Sequence, residues 1–189
     1  MLKAIIAAKN QNTCDTIADI VTDCEFLKVA TVLTGLELRE KFIYNDYDLV
    51  VIYAPLEDEF GLDLVSDVSK KSSASIIVIT KTDIADEVQK KVAFADALVL
   101  SRPINKAMLV QSIHYVLIMR EKLAKLKLQN DELEQKINDL KLIDRAKCVL
   151  IQYLRISESQ AHRHIQKQAM DQRQSQVNVA RDILKTYES

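Results

Sequence analysis

The first hundred or so positions carry short apolar runs of strand length, at 2–8, 26–32, 48–53, 75–80 and 97–101. Between them, residues 13–23, 35–44, 61–70, 83–94 and 105 onward space their apolar positions as helices do. Runs such as Ile76-Ile77-Val78-Ile79 are β-branched throughout, as strands buried on both faces should be. Five strands alternating with five helices predict an α/β layer structure around a five-stranded parallel sheet. At this size the common strand order is 2-1-3-4-5.

The fifth helical stretch does not end where such a domain would. Val116, Met119, Leu123, Leu126, Asn130, Leu133, Ile137 and Leu140 follow one another at alternating steps of three and four. That is an a/d seam sustained for more than three heptads, with mostly Glu, Lys and Gln beside it. A helix over 116–140 would run roughly 37 Å at about 1.5 Å per residue. A seam this narrow, with charged flanks, predicts a coiled coil with a second copy of the chain. Asn130 at an a position favours a parallel pair in fixed register, at some cost in stability.

Beyond the seam three amphipathic helices are expected. The first covers about 142–154, with Ile143, Ala146, Val149, Leu150 and Tyr153 apolar. Ser157-Glu158-Ser159-Gln160 is a capping box that opens the second, which runs to about Met170 with Ala161, Ile165, Ala169 and Met170 apolar. Asp171 is placed to cap the third, which carries Val177, Ala180, Ile183, Leu184 and Tyr187. Together they predict a small three-helix bundle. The chain thus divides into 1–118, a coiled-coil linker at 116–140, and 141–189.

Charge sharpens this division. A net charge of −1 hides 12 Lys and Arg against 17 Asp and Glu over 1–118, 5 against 5 over 119–140, and 9 against 5 over 141–189. An acidic head and a basic tail imply different partners. Cys14, Cys24 and Cys148 form an odd, scattered set, which excludes a disulfide framework or a Cys-rich zinc site and suits the cytoplasm. No apolar run reaches the ~20 residues of a membrane span, and the N-terminal run is too short for a signal peptide. Neither Gly nor Pro occurs after Pro103, so nothing interrupts the long helix.

Residues 1–118 resemble the receiver domain of bacterial response regulators, a flavodoxin-like fold. Asp48-Leu49-Val50-Val51-Ile52 looks like that family's third strand, Ile77-Val78-Ile79-Thr80 like the fourth ending in the switch hydroxyl, and Leu100-Ser101-Arg102-Pro103 stands where the family has Lys-Pro. The resemblance implies a phosphorylation pocket formed here by Ala8, Lys9, Tyr53, Thr80 and Arg102. The family's phosphoacceptor aspartate is replaced by Tyr53 and its acidic pair by Ala8-Lys9, so the Mg²⁺ site of the family cannot be assembled from these positions. Asp48 lies about 16 Å away at the other end of the strand. Asp58, in the following loop, would have no companion carboxylates.

Residues of about 130–187 resemble the ANTAR domain, an RNA-binding antiterminator module. The matching stretches are Asp144-Arg145-Ala146-Lys147 with Val149-Leu150, then Ser157-Glu158-Ser159-Gln160-Ala161, Gln168-Ala169-Met170-Asp171 with Arg173, and Val179-Ala180-Arg181-Asp182-Ile183-Leu184. The resemblance implies that RNA stem-loops are the ligand, bound by Arg145, Lys147, His162, Arg163, Lys167 and Arg173. Arg and Lys neutralise phosphates, and Arg and His can stack on unpaired bases. Departures are Cys148, His162 and Gln166, at positions where the family usually has Gly, an aromatic residue and Arg.

Catalysis is not expected. His162 and His164 are two residues apart on a helix and face different ways, His114 is isolated, and two glycines cannot make a phosphate loop. No metal or cofactor is expected. The reading is a cytoplasmic, dimeric antitermination regulator, with a sensor protein as a further partner. The alternatives are a DNA-binding regulator, since three short helices can house a helix-turn-helix, and a dimerising adaptor whose receiver binds a protein.

Overall fold

A computed structural model describes residues 2–187. The chain divides into two compact units, one ending at Leu123 and the other beginning at Ala124. In the first, strands β1 (Lys3–Ala8), β2 (Lys28–Val32), β3 (Leu49–Tyr53), β4 (Ser75–Lys81) and β5 (Leu98–Arg102) alternate with helices α1 (Gln11–Thr22), α2 (Gly35–Tyr44), α3 (Leu62–Lys71) and α4 (Ala85–Val92). The sheet is parallel with the order β2-β1-β3-β4-β5, as the alternation of runs predicts.

Period-two alternation along the central strands fills two cores. Ile5, Ala7, Val50, Ile52, Ile76 and Val78 pack under Leu38 of α2, Leu64 and Val65 of α3, and Val88 and Val92 of α4. Ala4, Ile6, Ala8, Leu49, Val51, Ile77 and Ile79 face Cys14, Ile17 and Val21 of α1 and Leu109, Ile113 and Val116 of helix α5 (Lys106–Leu154). Both faces of the sheet are therefore covered, which is why its strands are continuously apolar.

Local chemistry sets the helix starts. Asn10 caps α1 by accepting from the Thr13 amide at 2.9 Å. Thr34 caps α2, and the Asp58 carboxylate accepts from the Gly35 and Leu36 amides at 2.8 and 3.2 Å. These amide donors hold Asp58 below the ordinary carboxylate range. Gly61 precedes α3 at φ 99°, a conformation that an L side chain rarely adopts.

At the opposite end of the sheet, Asp48 fastens β1 to α5. Its carboxylate accepts from the Lys3 amide at 2.8 Å and from Arg120 Nη1 at 2.7 Å. Ser75 Oγ donates to the Val116 carbonyl at 3.3 Å nearby. Burial alone would raise the Asp48 carboxyl pKa, but these two donors and the guanidinium charge outweigh it and hold the group low.

The second unit packs Ala146, Val149 and Leu150 of α5 with Ala161, Ile165 and Ala169 of α6 (Glu158–Asp171) and Val179, Ala180 and Ile183 of α7 (Gln176–Tyr187). Three expectations are corrected here. The first tail helix is not separate but forms the last turns of α5, since no breaker separates it from the seam. Asp171 ends α6 instead of capping α7; Ser175 caps α7, its Oγ accepting from the Asn178 amide at 3.2 Å. Val116 is 8% exposed and belongs to the sheet core, so the uncovered seam starts only at Met119. A 3-4 pattern cannot separate these two fates, because the same stripe on α5 meets the sheet first and leaves it later.

Candidate functional site

The receiver pocket is built by strand register. Ala8 lies opposite Tyr53, and Tyr53 opposite Ile79, so Thr80 follows at the adjacent strand end. Ala8 and Thr80 are fully buried, while Lys9 points outward, exposed. Arg102 closes this end of the sheet. Its guanidinium carbon stands 4.8 Å from the Tyr53 ring centroid, and its Nη2 donates to the Ala54 carbonyl at 3.2 Å. Its own carbonyl accepts from Thr82 Oγ1 at 2.6 Å.

Cation–π attraction and the hydrogen bond hold the ring and the guanidinium together as a cover. Thr80 Oγ1 and Arg102 Nε are buried without hydrogen-bond partners among the described residues. An unpaired buried hydroxyl costs about 1–3 kcal/mol, which the surrounding packing sustains. Asp58, which sequence order allows near this end, is occupied by the α2 amides. Cys14 lies behind β1, its Sγ 3.5 Å from the Val32 carbonyl, and burial pushes its thiol pKa up and away from reactivity. Among the described residues no three His, Cys, Asp or Glu side chains group as a metal would require. No helix among them is long and apolar enough to cross a membrane.

In the helical unit the candidate cations divide by environment. On α6, Ala161, Ile165 and Ala169 turn inward, so Ser159, His162, Arg163, Gln166, Lys167 and Met170 form the exposed side. Arg163 and Lys167 are neighbours one turn apart, and neither side chain has an ion pair or hydrogen bond among the described residues. Nothing acidic stands on this stripe between Glu158 and Asp171.

Lys147 is placed differently. It is bound to Asp144 at 2.7 Å and Glu158 at 3.2 Å, with 16% of its side chain exposed. Those carboxylates, Asp144 first, raise its pKa and neutralise the charge it would offer a phosphate. Its role here is to tie α5 to the start of α6. Arg145 is exposed on α5 and has an interaction of its own.

Arg173 sits at the turn after α6 with φ 53°. Its amide donates to Met170 O at 3.2 Å and that of Gln174 to Ala169 O at 2.9 Å, the Schellman arrangement in which glycine usually takes the left-handed place. Two features escaped the sequence reading. Met170, grouped there with the apolar positions of its helix, is 75% exposed, and Tyr153 is 57% exposed at the end of α5. Spacing marked both as apolar but could not show that the bundle ends short of them.

Residues 131–184 match the ANTAR domain. The first unit shares its fold with receiver domains from Methanospirillum hungatei (TM-score 0.59, 20% identity, 65% of this chain and 98% of that one) and Clostridium thermocellum (TM-score 0.59, 16% identity, 65% and 99%). A receiver fold followed by an ANTAR domain is the organisation of an ANTAR response regulator, and this chain is built as one. The transcriptional regulatory protein PdtaR of Mycobacterium tuberculosis is similar over 152 residues, at 27% identity, covering 80% of this chain and 74% of that protein.

Proposed function

We propose that this protein is a cytoplasmic transcription antitermination regulator that grips RNA hairpins in nascent transcripts through its helical unit. The ANTAR match falls on a unit whose outer α6 face carries Arg163 and Lys167 without ion pairs among the described residues, and that observation carries the reading. Free cations one turn apart suit consecutive phosphates, and their neutralisation releases counterions on binding. Binding the antiterminator hairpin in preference to its competitor shifts the RNA between folds, so transcription continues without any covalent chemistry by the protein.

In this reading the protein is a parallel dimer and not an enzyme. Met119, Leu123, Leu126, Leu133, Ile137 and Leu140 are each between 36% and 62% exposed along α5, an apolar stripe that a second copy would cover. The receiver takes no phosphoryl group in this reading, because Ala8 and Tyr53 end β1 and β3, Tyr53 under Arg102, and no three His, Cys, Asp or Glu side chains group to hold Mg²⁺ among the described residues. Its input would come through a protein contact such as a sensor.

The test is salt-dependent binding of stem-loop RNA and of duplex DNA to the full chain. RNA is expected to bind more tightly at the same salt, and Lys167→Ala to lower the log–log salt slope by about one unit for all hairpins. Equal affinity for duplex DNA would refute the proposal.

A further inference from the structure

The exposed end of the helical unit carries aromatic surface that the basic stripe does not explain. Tyr153, near the end of α5, stands 5.1 Å from Tyr187 of α7, ring centroid to centroid, with their planes tilted by 44°. An aromatic pair that only closed a bundle would be largely buried, since its stabilisation grows with the area it removes from water. Tyr153 instead keeps 57% of its surface exposed, and the neighbouring Leu154 keeps 44%.

Arg155 follows at once. It is exposed, has no side-chain ion pair or hydrogen bond among the described residues, and takes φ 51°. A left-handed arginine costs about 1 kcal/mol relative to glycine, which would make the same turn without strain. Ser157 caps α6 two residues on, so the α6 stripe begins beside this corner and His162 follows about one turn into the helix.

We propose that the Tyr153–Tyr187 pair is a stacking platform for an unpaired base of the hairpin loop, with Arg155 holding that nucleotide's phosphate. The inference rests on the RNA reading above and adds to it the site where the loop, as distinct from the stem, is held. Flat aromatic surface suits any base face, and a cation beside it suits the phosphate that accompanies each base. The same corner would be poor for duplex DNA, whose bases are already stacked. Arg163 and Lys167 would then serve the stem backbone along α6.

The experiment uses the full chain and a pool of RNA hairpins with one common stem and a randomised loop. Retained hairpins are resynthesised with a fluorescent adenine analogue at successive loop positions. One position should be quenched on binding. Tyr153→Leu should abolish that quench and weaken the selected hairpin roughly 5- to 150-fold, while Tyr153→Phe keeps both. Arg155→Gly should lower the salt slope by about one unit and raise the melting temperature, because it removes left-handed strain. A loss of affinity together with a gain in stability cannot come from misfolding. If the wild type retains hairpins and Tyr153→Leu binds and quenches as it does, this inference is overturned while the RNA reading stands. If the wild type retains no hairpin at any loop sequence, both are overturned.

Discussion

Replacing Asp48 by Ala should detach β1 from α5 at the base of the receiver. The carboxylate side chain is 24% exposed and its partner Arg120 31%. Its loss removes a charge-assisted bond of 2.7 Å and leaves the Lys3 amide without its 2.8 Å acceptor. A hydrogen bond to a charged group contributes about 1.5–3 kcal/mol, and the partial exposure of Arg120 lets water recover some of it, which leaves about 2 kcal/mol. With an unfolding entropy of about 2.1 cal/mol/K per residue, a unit of about 120 residues should lose roughly 8 °C in melting temperature. The carboxyl pKa is lowered in the folded state, so this stability is fully present above its ordinary value of 3.8 and is lost as pH falls through the lowered value. Thermal unfolding followed by circular dichroism at stepwise pH should therefore show a constant gap between wild type and variant from neutral pH down to about pH 5, closing below about pH 4. Arg120→Ala and the double variant should reveal a coupling of about 1 kcal/mol or more. A shift under about 2 °C at neutral pH, or a gap that widens on acidification, would refute the reasoning.

Val116→Ala should lower the melting temperature of the receiver at unchanged oligomeric state, whereas Leu126→Ala should shift sedimentation toward monomer and leave the receiver transition in place. Incubation with a small phosphodonor and Mg²⁺ should leave the intact mass of the protein unchanged, and an acid-labile phosphoryl adduct on residues 1–118 would overturn the closed pocket. Lys147→Ala should destabilise the helical unit by freeing α5 from Glu158, without altering the salt slope of hairpin binding that Lys167→Ala reduces.

Much of this was legible in the sequence because burial there follows period. The parallel sheet was readable because strands covered on both faces are apolar at every position, as in Ile76–Ile79. The Ser157–Gln160 capping box was readable because both reciprocal bonds lie within four residues. The pocket positions came from the family resemblance alone; strand register sets Ala8 beside Tyr53 and Tyr53 beside Ile79, the residue before Thr80. The Arg102 cover was not legible, since it depends on a contact across 49 positions. Lys147 is pinned by Asp144, three residues earlier on α5, and by Glu158 of α6; the first pair was legible as an i,i+3 spacing, while the second depends on the approach of α6 to α5.

Helix α5 shows why a seam and a core can share one pattern yet have different consequences. Its apolar stripe is continuous in sequence from Leu109 onward, but Leu109, Ile113 and Val116 are covered by the sheet while Leu123 and Leu126 are more than half exposed. The change occurs within the two turns that contain Arg120, the residue held by Asp48. A partner that pulled on this latch would act on the first turns of the exposed seam, because no glycine or proline intervenes to absorb the movement. If the exposed seam closes a dimer as proposed, Arg120→Ala should change the dimerisation constant of the full chain even though Arg120 stands at neither seam position. Unchanged self-association in that variant would leave the latch a matter of receiver stability alone.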